Sequence, residues 1–202
     1  MFWQKWLYRG EFRFLFEPYN GDEVVFIDCE TTGLDPKKDE ILSIACLPVK
    51  KNKILLSRAL YLELKPKQDI SAQSIKIHHL RACDLQNAMD PKEAIERVLY
   101  FIKNRPLAGY YVEFDVKMIS KYTKKFFGFC LPNKQIEVSG LYYDYKQKAI
   151  PQGFIDLKFD TILKSLNLPK FKAHNALSDT IMSAMIYLKL TKRSKHGTNT
   201  RF

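Results

Sequence analysis

Four acidic residues and one histidine carry the strongest chemical signal in this chain of 202 residues. They are Asp28, Glu30, Asp115, His174 and Asp179, each predicted at the end of a strand or near the start of a helix. Carboxylates gathered in this way can hold hard divalent cations such as Mg²⁺ or Mn²⁺. Two such ions beside a phosphodiester can promote its cleavage. The set therefore indicates metal-dependent phosphodiester chemistry.

Asp28 and Glu30 lie two residues apart in an apolar run that is predicted to form a buried strand over residues 24–30. Successive side chains of a strand point to opposite faces, so both carboxylates share one face and Cys29 lies on the other. Two ionised carboxylates this close repel each other, and a cation between them removes the repulsion. This pair is the strongest local indication of a metal site.

The other three residues have weaker local signals. Asp115 and Asp179 are each predicted in the first turn of a helix, where the helix dipole favours an acid whatever its function. A histidine, whose unperturbed pKa is ~6.5, can accept a proton from water near neutral pH, and His174 is a candidate for that role. Their interpretation depends on the pattern as a whole.

The elements that must position these residues follow from hydrophobic periodicity and turn signals. Three antiparallel strands, followed by strands alternating with helices, predict an α/β fold with a mixed sheet flanked by helices. Strands are predicted over residues 24–30, 41–49, 54–64, 107–112 and 136–142. Helices are predicted over residues 71–78, 91–103, 114–126, 156–166 and 176–190. Around the main domain, residues 22–190, we predict an aromatic and basic leader, residues 1–21, and a basic disordered tail, residues 191–202.

Composition narrows the classes of function. The formal net charge of +11 favours a polyanionic partner, with nucleic acid ahead of an anionic membrane. The four cysteines have no CxxC spacing, which argues against a zinc site. No stretch approaches the ~18 apolar residues of a membrane span, so the expected location is cytoplasmic.

Three motifs in order resemble the DEDDh branch of the DEDD exonuclease superfamily, to which the proofreading epsilon subunit of bacterial DNA polymerase III belongs. Residues 28–33 match the first motif, D-x-E-T-T-G, in full. The second motif ends in F-D, as Phe114 and Asp115 do, and the third is a histidine five residues before an aspartate, as in His174 and Asp179. The sister branch has a tyrosine where this chain has Asn175. The resemblance covers roughly residues 22–190.

The resemblance implies a ribonuclease H-like fold with a five-stranded mixed sheet, three antiparallel strands and then parallel ones. It implies that the four acids bind two Mg²⁺ or Mn²⁺ ions while His174 deprotonates the attacking water. It also implies a substrate-binding set of Thr31, Thr32, Gly33, Leu34, His79, Tyr111 and Phe114. Two of these depart from the family: Tyr111 replaces the usual asparagine and His79 the usual glycine.

The main hypothesis is a 3′–5′ exonuclease that acts on DNA, single-stranded by preference, and releases 5′-mononucleotides. An exoribonuclease is the alternative within the same class, because the motifs do not decide between DNA and RNA. A nucleic-acid-binding module associated with a DNA polymerase or sliding clamp is the second alternative, since residues 4–8 loosely resemble clamp-binding peptides. Candidate groove charges are Lys117, Lys121, Lys124, Lys125, Lys170 and Lys172.

Overall fold

The computed structural model describes residues 8–149, 153–171 and 175–196. The strands are β1 (Glu23–Thr31), β2 (Ile41–Lys50), β3 (Lys53–Ile54), β4 (Leu60–Glu63), β5 (Leu107–Gly109) and β6 (Gln135–Glu137). Within the described residues they form one mixed sheet in the order β3-β2-β1-β5-β6, and β4 also pairs with β2. β1 and β2 are antiparallel from Glu23↔Lys50 to Thr31↔Ile41, whereas β5 and β6 run parallel to β1.

The third predicted strand, residues 54–64, is divided in two. β3 and β4 both pair with β2, and a 3₁₀ turn over Leu56–Arg58 separates them. The break lies opposite Pro48 of β2, whose carbonyl accepts a hydrogen bond from the Leu55 amide at 2.9 Å. Proline has no N–H to return that bond, so the ladder is interrupted here. The sheet therefore has six strands where five were predicted, in the predicted arrangement.

Helices cover both faces of the sheet. They are α1 (Ala72–His78), α2 (Pro91–Ile102), α3 (Val112–Phe127), α4 (Val138–Ala149), α5 (Phe159–Ser165) and α6 (Ala176–His196). The buried side chains of α2 and α3 form one apolar cluster with one face of the sheet. Those of α4, α5 and α6 form a second cluster with the opposite face. Among the described residues, no helix combines the length and apolarity that crossing a membrane requires.

The side chains of β1 alternate between these two clusters. Val25, Ile27 and Cys29 pack on the side of α2 and α3, whereas Phe26 packs on the side of α6. The strand period of two therefore sends the side chains at positions 28 and 30 toward the α6 side.

The described part of the predicted leader belongs to the first cluster. Its residues form a 3₁₀ helix, Glu11–Phe16, that buries Phe12 and Leu15. The Phe12 ring meets the Phe127 ring edge-on, with 4.7 Å between centroids. The segment thus covers an apolar face of the main domain. Residues 4–7, which carry most of the predicted clamp-binding peptide, lie outside the described residues.

Four predicted boundaries differ from the structure by three residues or more. The strand predicted over residues 136–142 ends at Glu137, whose carboxylate accepts hydrogen bonds from the amide and hydroxyl of Ser139, and α4 begins there. Aromatic residues favoured a strand here, although Val138 and Tyr142 are buried at helical spacing. The strand predicted over residues 107–112 ends at Gly109, the helix predicted from residue 156 begins at Phe159, and α6 continues to His196, past the predicted start of the tail.

Candidate active site

Three carboxylates meet on the α6 side of the sheet. Asp28 and Glu30 come from the end of β1, and Asp179 comes from the first turn of α6, which packs on this face. One carboxylate oxygen from each of the three lies within 4.8 Å of the others. Three oxygen ligands at this spacing suit a hard divalent cation.

Asp115 reaches the same place from the opposite side of the sheet. It lies in the first turn of α3 and is buried. Its Oδ1 accepts a hydrogen bond of 3.1 Å from the Cys29 amide, which ties the start of α3 to the backbone between Asp28 and Glu30. All four predicted acids are thus adjacent to one short stretch of β1.

The electrostatics of the cluster favour a bound cation. Burial raises the pKa of Asp28 well above its ordinary value, and the negative charges of Asp115 and Glu30 raise it further. Burial, followed by the charge of Asp179, raises the pKa of Glu30 from 4.5 to about 7. Burial also raises the pKa of Asp115. A cation would relieve both the burial penalty and the repulsion, so the donor set fits a divalent metal.

His174, the predicted general base, lies outside the described residues. The structure therefore does not test its role. The described neighbour on its C-terminal side, Asn175, uses its side-chain oxygen to accept a hydrogen bond from the Ser178 amide at 3.2 Å, just before Asp179. That bond supports the first turn of α6, which carries the third motif's aspartate.

A first cavity of about 460 Å³ opens on one side of the carboxylates. Residues 30–34 line it, together with Phe114 and with side chains of α1. Five of the seven predicted substrate-binding residues are therefore in its wall. Leu34 is 85% exposed, which leaves its side chain available to a ligand.

The loop that carries this wall is held by its own hydrogen bonds. The Asp39 carboxylate accepts from the Thr32 hydroxyl at 3.0 Å and from the Asp35 amide at 2.7 Å. A Cβ on Gly33 would lie 2.6 Å from that carboxylate, so any other residue here would displace it. Lys121 Nζ donates to the Asp39 carbonyl at 2.7 Å, which fastens the loop to α3.

The histidine in the first cavity is His78, not the predicted His79. His79 ends α1 with φ 62°, in the left-handed region that favours glycine, and its side chain is exposed. The His78 Nδ1 accepts from the Leu80 amide at 3.0 Å, so in the neutral ring Nε2 carries the proton. Nε2 then donates to the Ser74 hydroxyl at 2.7 Å, and that hydroxyl donates to the Thr31 carbonyl at 3.4 Å.

A second cavity of about 890 Å³ opens on the other side. Asp28, Asp115, Tyr111 and Lys117 line it, and Leu34 and Phe114 line both cavities. The carboxylates therefore stand at the junction of two spaces, each large enough for part of a chain-like substrate.

Glu137 also lines the second cavity, and sequence reasoning missed it. Its carboxylate accepts hydrogen bonds from the Tyr111 amide at 3.1 Å and from the Val112 amide at 3.0 Å, which are the first donors of α3. The sequence feature that could have identified Glu137 is an acidic residue at the end of a short strand, one position before a helix.

The lysines proposed for the groove differ in their surroundings. Lys117 lines the second cavity and pairs with Glu113 at 2.8 Å. Lys121 holds the loop described above, and Lys170 pairs with Asp160 at 2.7 Å. Lys117 is therefore the one of these three that lies at the cavity wall. Lys172 is outside the described residues.

Comparison with known proteins identifies the family. Residues 25–187 match the RNase T exonuclease family. This match spans most of the chain, so the chain belongs to that exonuclease family. The resemblance predicted from three short motifs is thereby confirmed.

The proteins similar in sequence include replication proteins and a ribonuclease. The PolC-type DNA polymerase III of Thermotoga petrophila is 26% identical over 174 residues, which cover 85% of this chain but only 12% of that protein. The DNA polymerase III epsilon subunit of Aquifex aeolicus is 25% identical, over 82% of this chain and 79% of that subunit. Mitochondrial oligoribonuclease of Bos taurus is 31% identical over 116 residues, covering 51% of this chain and 49% of that protein.

Solved structures share the fold. Exonuclease I of E. coli in complex with a dA16 oligonucleotide gives a TM-score of 0.75 at 14% identity, covering 87% of this chain and 42% of that chain. Cell-death related nuclease 4 gives a TM-score of 0.75 at 12% identity, covering 86% of this chain and 64% of that chain. These likenesses confirm the predicted ribonuclease H-like α/β fold.

Proposed function

We propose that this chain is a metal-dependent 3′–5′ exonuclease that removes 5′-mononucleotides from the 3′ end of single-stranded DNA. The observation that carries the proposal is the meeting of Asp28, Glu30 and Asp179 within 4.8 Å at the junction of two cavities. A phosphodiester at that junction would have one nucleotide on each side. Cleavage there would release the terminal nucleotide.

Asp28, Glu30, Asp115 and Asp179 would hold two Mg²⁺ or Mn²⁺ ions. Bound divalent ions would lower the pKa of an attacking water and stabilise the charge that develops on the phosphate oxygens. The raised pKa values of Asp28 and Glu30 support this assignment, because carboxylates that resist ionisation when alone gain most from a cation. Asp115 would also keep the end of β1 in place through its bond to Cys29.

The chain's own residues would complete the reaction. His174 would take a proton from water as its oxygen attacks phosphorus, and the 3′ oxygen of the penultimate nucleotide would leave. The first cavity would hold the terminal nucleotide against residues 31–34 and Phe114. Lys117, at the wall of the second cavity, would face the phosphates of the remaining strand.

DNA is proposed ahead of RNA because relatives that align over most of this chain are named as DNA polymerase III proteins. The match to an oligoribonuclease favours an exoribonuclease as the second candidate. The similar fold of exonuclease I in complex with DNA oligonucleotides supports a nucleic-acid substrate. Association with a DNA polymerase or a sliding clamp stays a prediction that rests on the relatives' names and on residues 4–8.

The test is digestion of 5′-labelled DNA and RNA oligomers of one sequence, with metal removed by chelation and then restored. We expect a ladder of products shortened from the 3′ end, formed only with Mg²⁺ or Mn²⁺ and faster on DNA. Faster digestion of RNA would favour the second candidate. Cleavage that persists in chelator would contradict the metal assignment.

A further inference from the structure

Tyr111 has an unusual backbone for a tyrosine. It lies at the start of α3 with φ 56° and ψ 38°, in the left-handed region that large side chains rarely adopt. Its side chain makes no capping hydrogen bond, although the N-cap is where short polar side chains usually do so. Strain of this kind persists where surrounding groups enforce it, and it concentrates at functional positions.

Glu137 supplies the missing cap. Its two carboxylate oxygens accept from the amides of Tyr111 and Val112, at 3.1 and 3.0 Å. The first donors of α3 are thus satisfied by β6 rather than by the side chain at position 111. The Tyr111 side chain is therefore not needed to cap α3, although capping is the usual role of the side chain at this position.

The Tyr111 ring stands at the wall of the second cavity. It is 62% exposed, and the Tyr110 ring backs it with 4.5 Å between centroids. Tyr110 is itself anchored, because its hydroxyl donates to the Leu157 carbonyl at 2.9 Å and its ring contacts Phe159 at 4.8 Å. A fixed aromatic ring with an exposed surface beside Asp28 and Asp115 is the kind of surface on which an unpaired base stacks.

We propose that Tyr111 is a specificity-determining residue that stacks on the base of the penultimate nucleotide. The inference rests on the proposed function, which puts that nucleotide in the second cavity. A base within a duplex is already stacked and paired, so it must leave the helix to reach the ring. The substrate class that this geometry fits is a strand whose 3′-penultimate base is unpaired.

The experiment compares two DNA oligomers that differ in one base. One has a normal penultimate base and the other has an abasic nucleotide there, and kcat/KM is measured with Mn²⁺ for each. Wild-type protein should prefer the normal oligomer by about 10-fold, the usual worth of one stacked base. In Tyr111→Asn the preference should fall close to 1, because asparagine tolerates the left-handed backbone but has no ring. In Tyr111→Phe the wild-type preference should remain.

The matched control is Tyr143→Asn, since Tyr143 is an exposed tyrosine on α4. It should leave both the preference and the rate unchanged. If Tyr111→Asn retains the wild-type preference, or wild-type protein has none, the stacking role is wrong.

A binding measurement separates this inference from the proposed function. An oligomer with 2-aminopurine as its penultimate base should lose fluorescence on binding to wild-type protein in Ca²⁺, and less so with Tyr111→Asn. If no oligomer is cleaved but the quenching depends on Tyr111, the proposed function is wrong and the stacking surface stands. Equal quenching by both proteins would overturn the stacking role whatever the activity.

Discussion

The two cavities beside the carboxylates take their walls from different elements of the fold. The first is lined by the loop that follows β1, residues 30–34, and by α1, and the Asp39 carboxylate holds that loop from within. The second is lined by the end of β1, by the start of α3 with the two tyrosines before it, and by the end of β6. Its most exposed ring, Tyr111, stands on a strained backbone that Glu137 stabilises.

The difference separates what the chain shares with its family from what is its own. The first cavity is lined by the D-x-E-T-T-G motif from Cys29 to Gly33, and its loop leaves little freedom for change because Gly33 fits closely against Asp39. The second contains the departure from the family at Tyr111. We infer that the first cavity serves the common step, recognition of a 3′ end, and that the second tunes which strand is accepted.

The carboxylates lie between the cavities, so a change there should abolish function in both. Asp28→Asn should lower the Mn²⁺-dependent rate by at least ~10³-fold, because a ligand and its charge are lost. Oligomer digestion measures the rate, and circular dichroism checks the fold. Asp144→Asn, at an exposed acid on α4, is the matched control and should behave like wild type. Normal digestion by Asp28→Asn would remove Asp28 from the metal site.

Replacing His174 tests the proton-transfer step separately from substrate binding in the cavities. His174→Ala should lower kcat by at least ~10²-fold, from the usual worth of a general base, while affinity for the oligomer and for Mn²⁺ is retained. Single-turnover digestion measures the step, and isothermal titration with Mn²⁺ measures the metal. An unchanged kcat would exclude His174 as the base.

Loosening the loop of the first cavity should have a smaller effect, and it should change KM and not the penultimate-base preference that depends on Tyr111. Asp39→Ala removes the acceptor of two hydrogen bonds in the loop and should raise KM for the oligomer by about 10-fold. The preference for a normal over an abasic penultimate base should not change. Gly33→Ala should act in the same direction by displacing Asp39.

Asp35→Ala is the control in the same loop. The Asp35 carboxylate accepts a hydrogen bond from the Lys37 amide, which is not one of the two bonds to the Asp39 carboxylate. If Asp39→Ala alters the penultimate-base preference as strongly as Tyr111→Asn does, the two cavities do not act separately.

The local features of the site can be predicted from sequence, whereas the features that depend on packing cannot. The common face of Asp28 and Glu30 is a local property of a strand with period two, and the structure has it. The approach of Asp179 depends on how α6 packs, which residue periodicity does not reveal, so the family resemblance was needed. Glu137 was missed because aromatic residues made the start of α4 look like a strand.

Two further differences from the predictions have identifiable causes. The third strand is divided because Pro48, in a neighbouring strand, cannot donate a hydrogen bond at that point. His79 was predicted in the substrate groove from its motif position, but the end of α1 turns it outward and puts His78 there instead. For the strand the deciding contact lies outside the segment whose pattern was read, whereas His79 is placed by the left-handed end of its own helix.

The smallest expected effect concerns the stability of the metal-free carboxylates. Folding raises the pKa of Glu30 from 4.5 to about 7, so the folded protein retains a proton that the unfolded chain has released. Between these values the free energy of unfolding therefore decreases as pH rises. In chelator, the Tm of wild type should fall by about 5 °C more between pH 5 and pH 8 than the Tm of Glu30→Gln does. This difference corresponds to roughly 1–2 kcal/mol in the free energy of unfolding.

Mn²⁺ at pH 8 should restore more of this loss in wild type than in Glu30→Gln, because a bound cation favours the ionised carboxylates. Glu113→Gln is the control, since that side chain is 72% exposed and should follow wild type. If Glu30→Gln loses as much stability as wild type between pH 5 and pH 8, then Glu30 is already ionised without metal. The carboxylates between the cavities would then be a solvated charged surface, and the contrast between the cavities would no longer centre on a metal site.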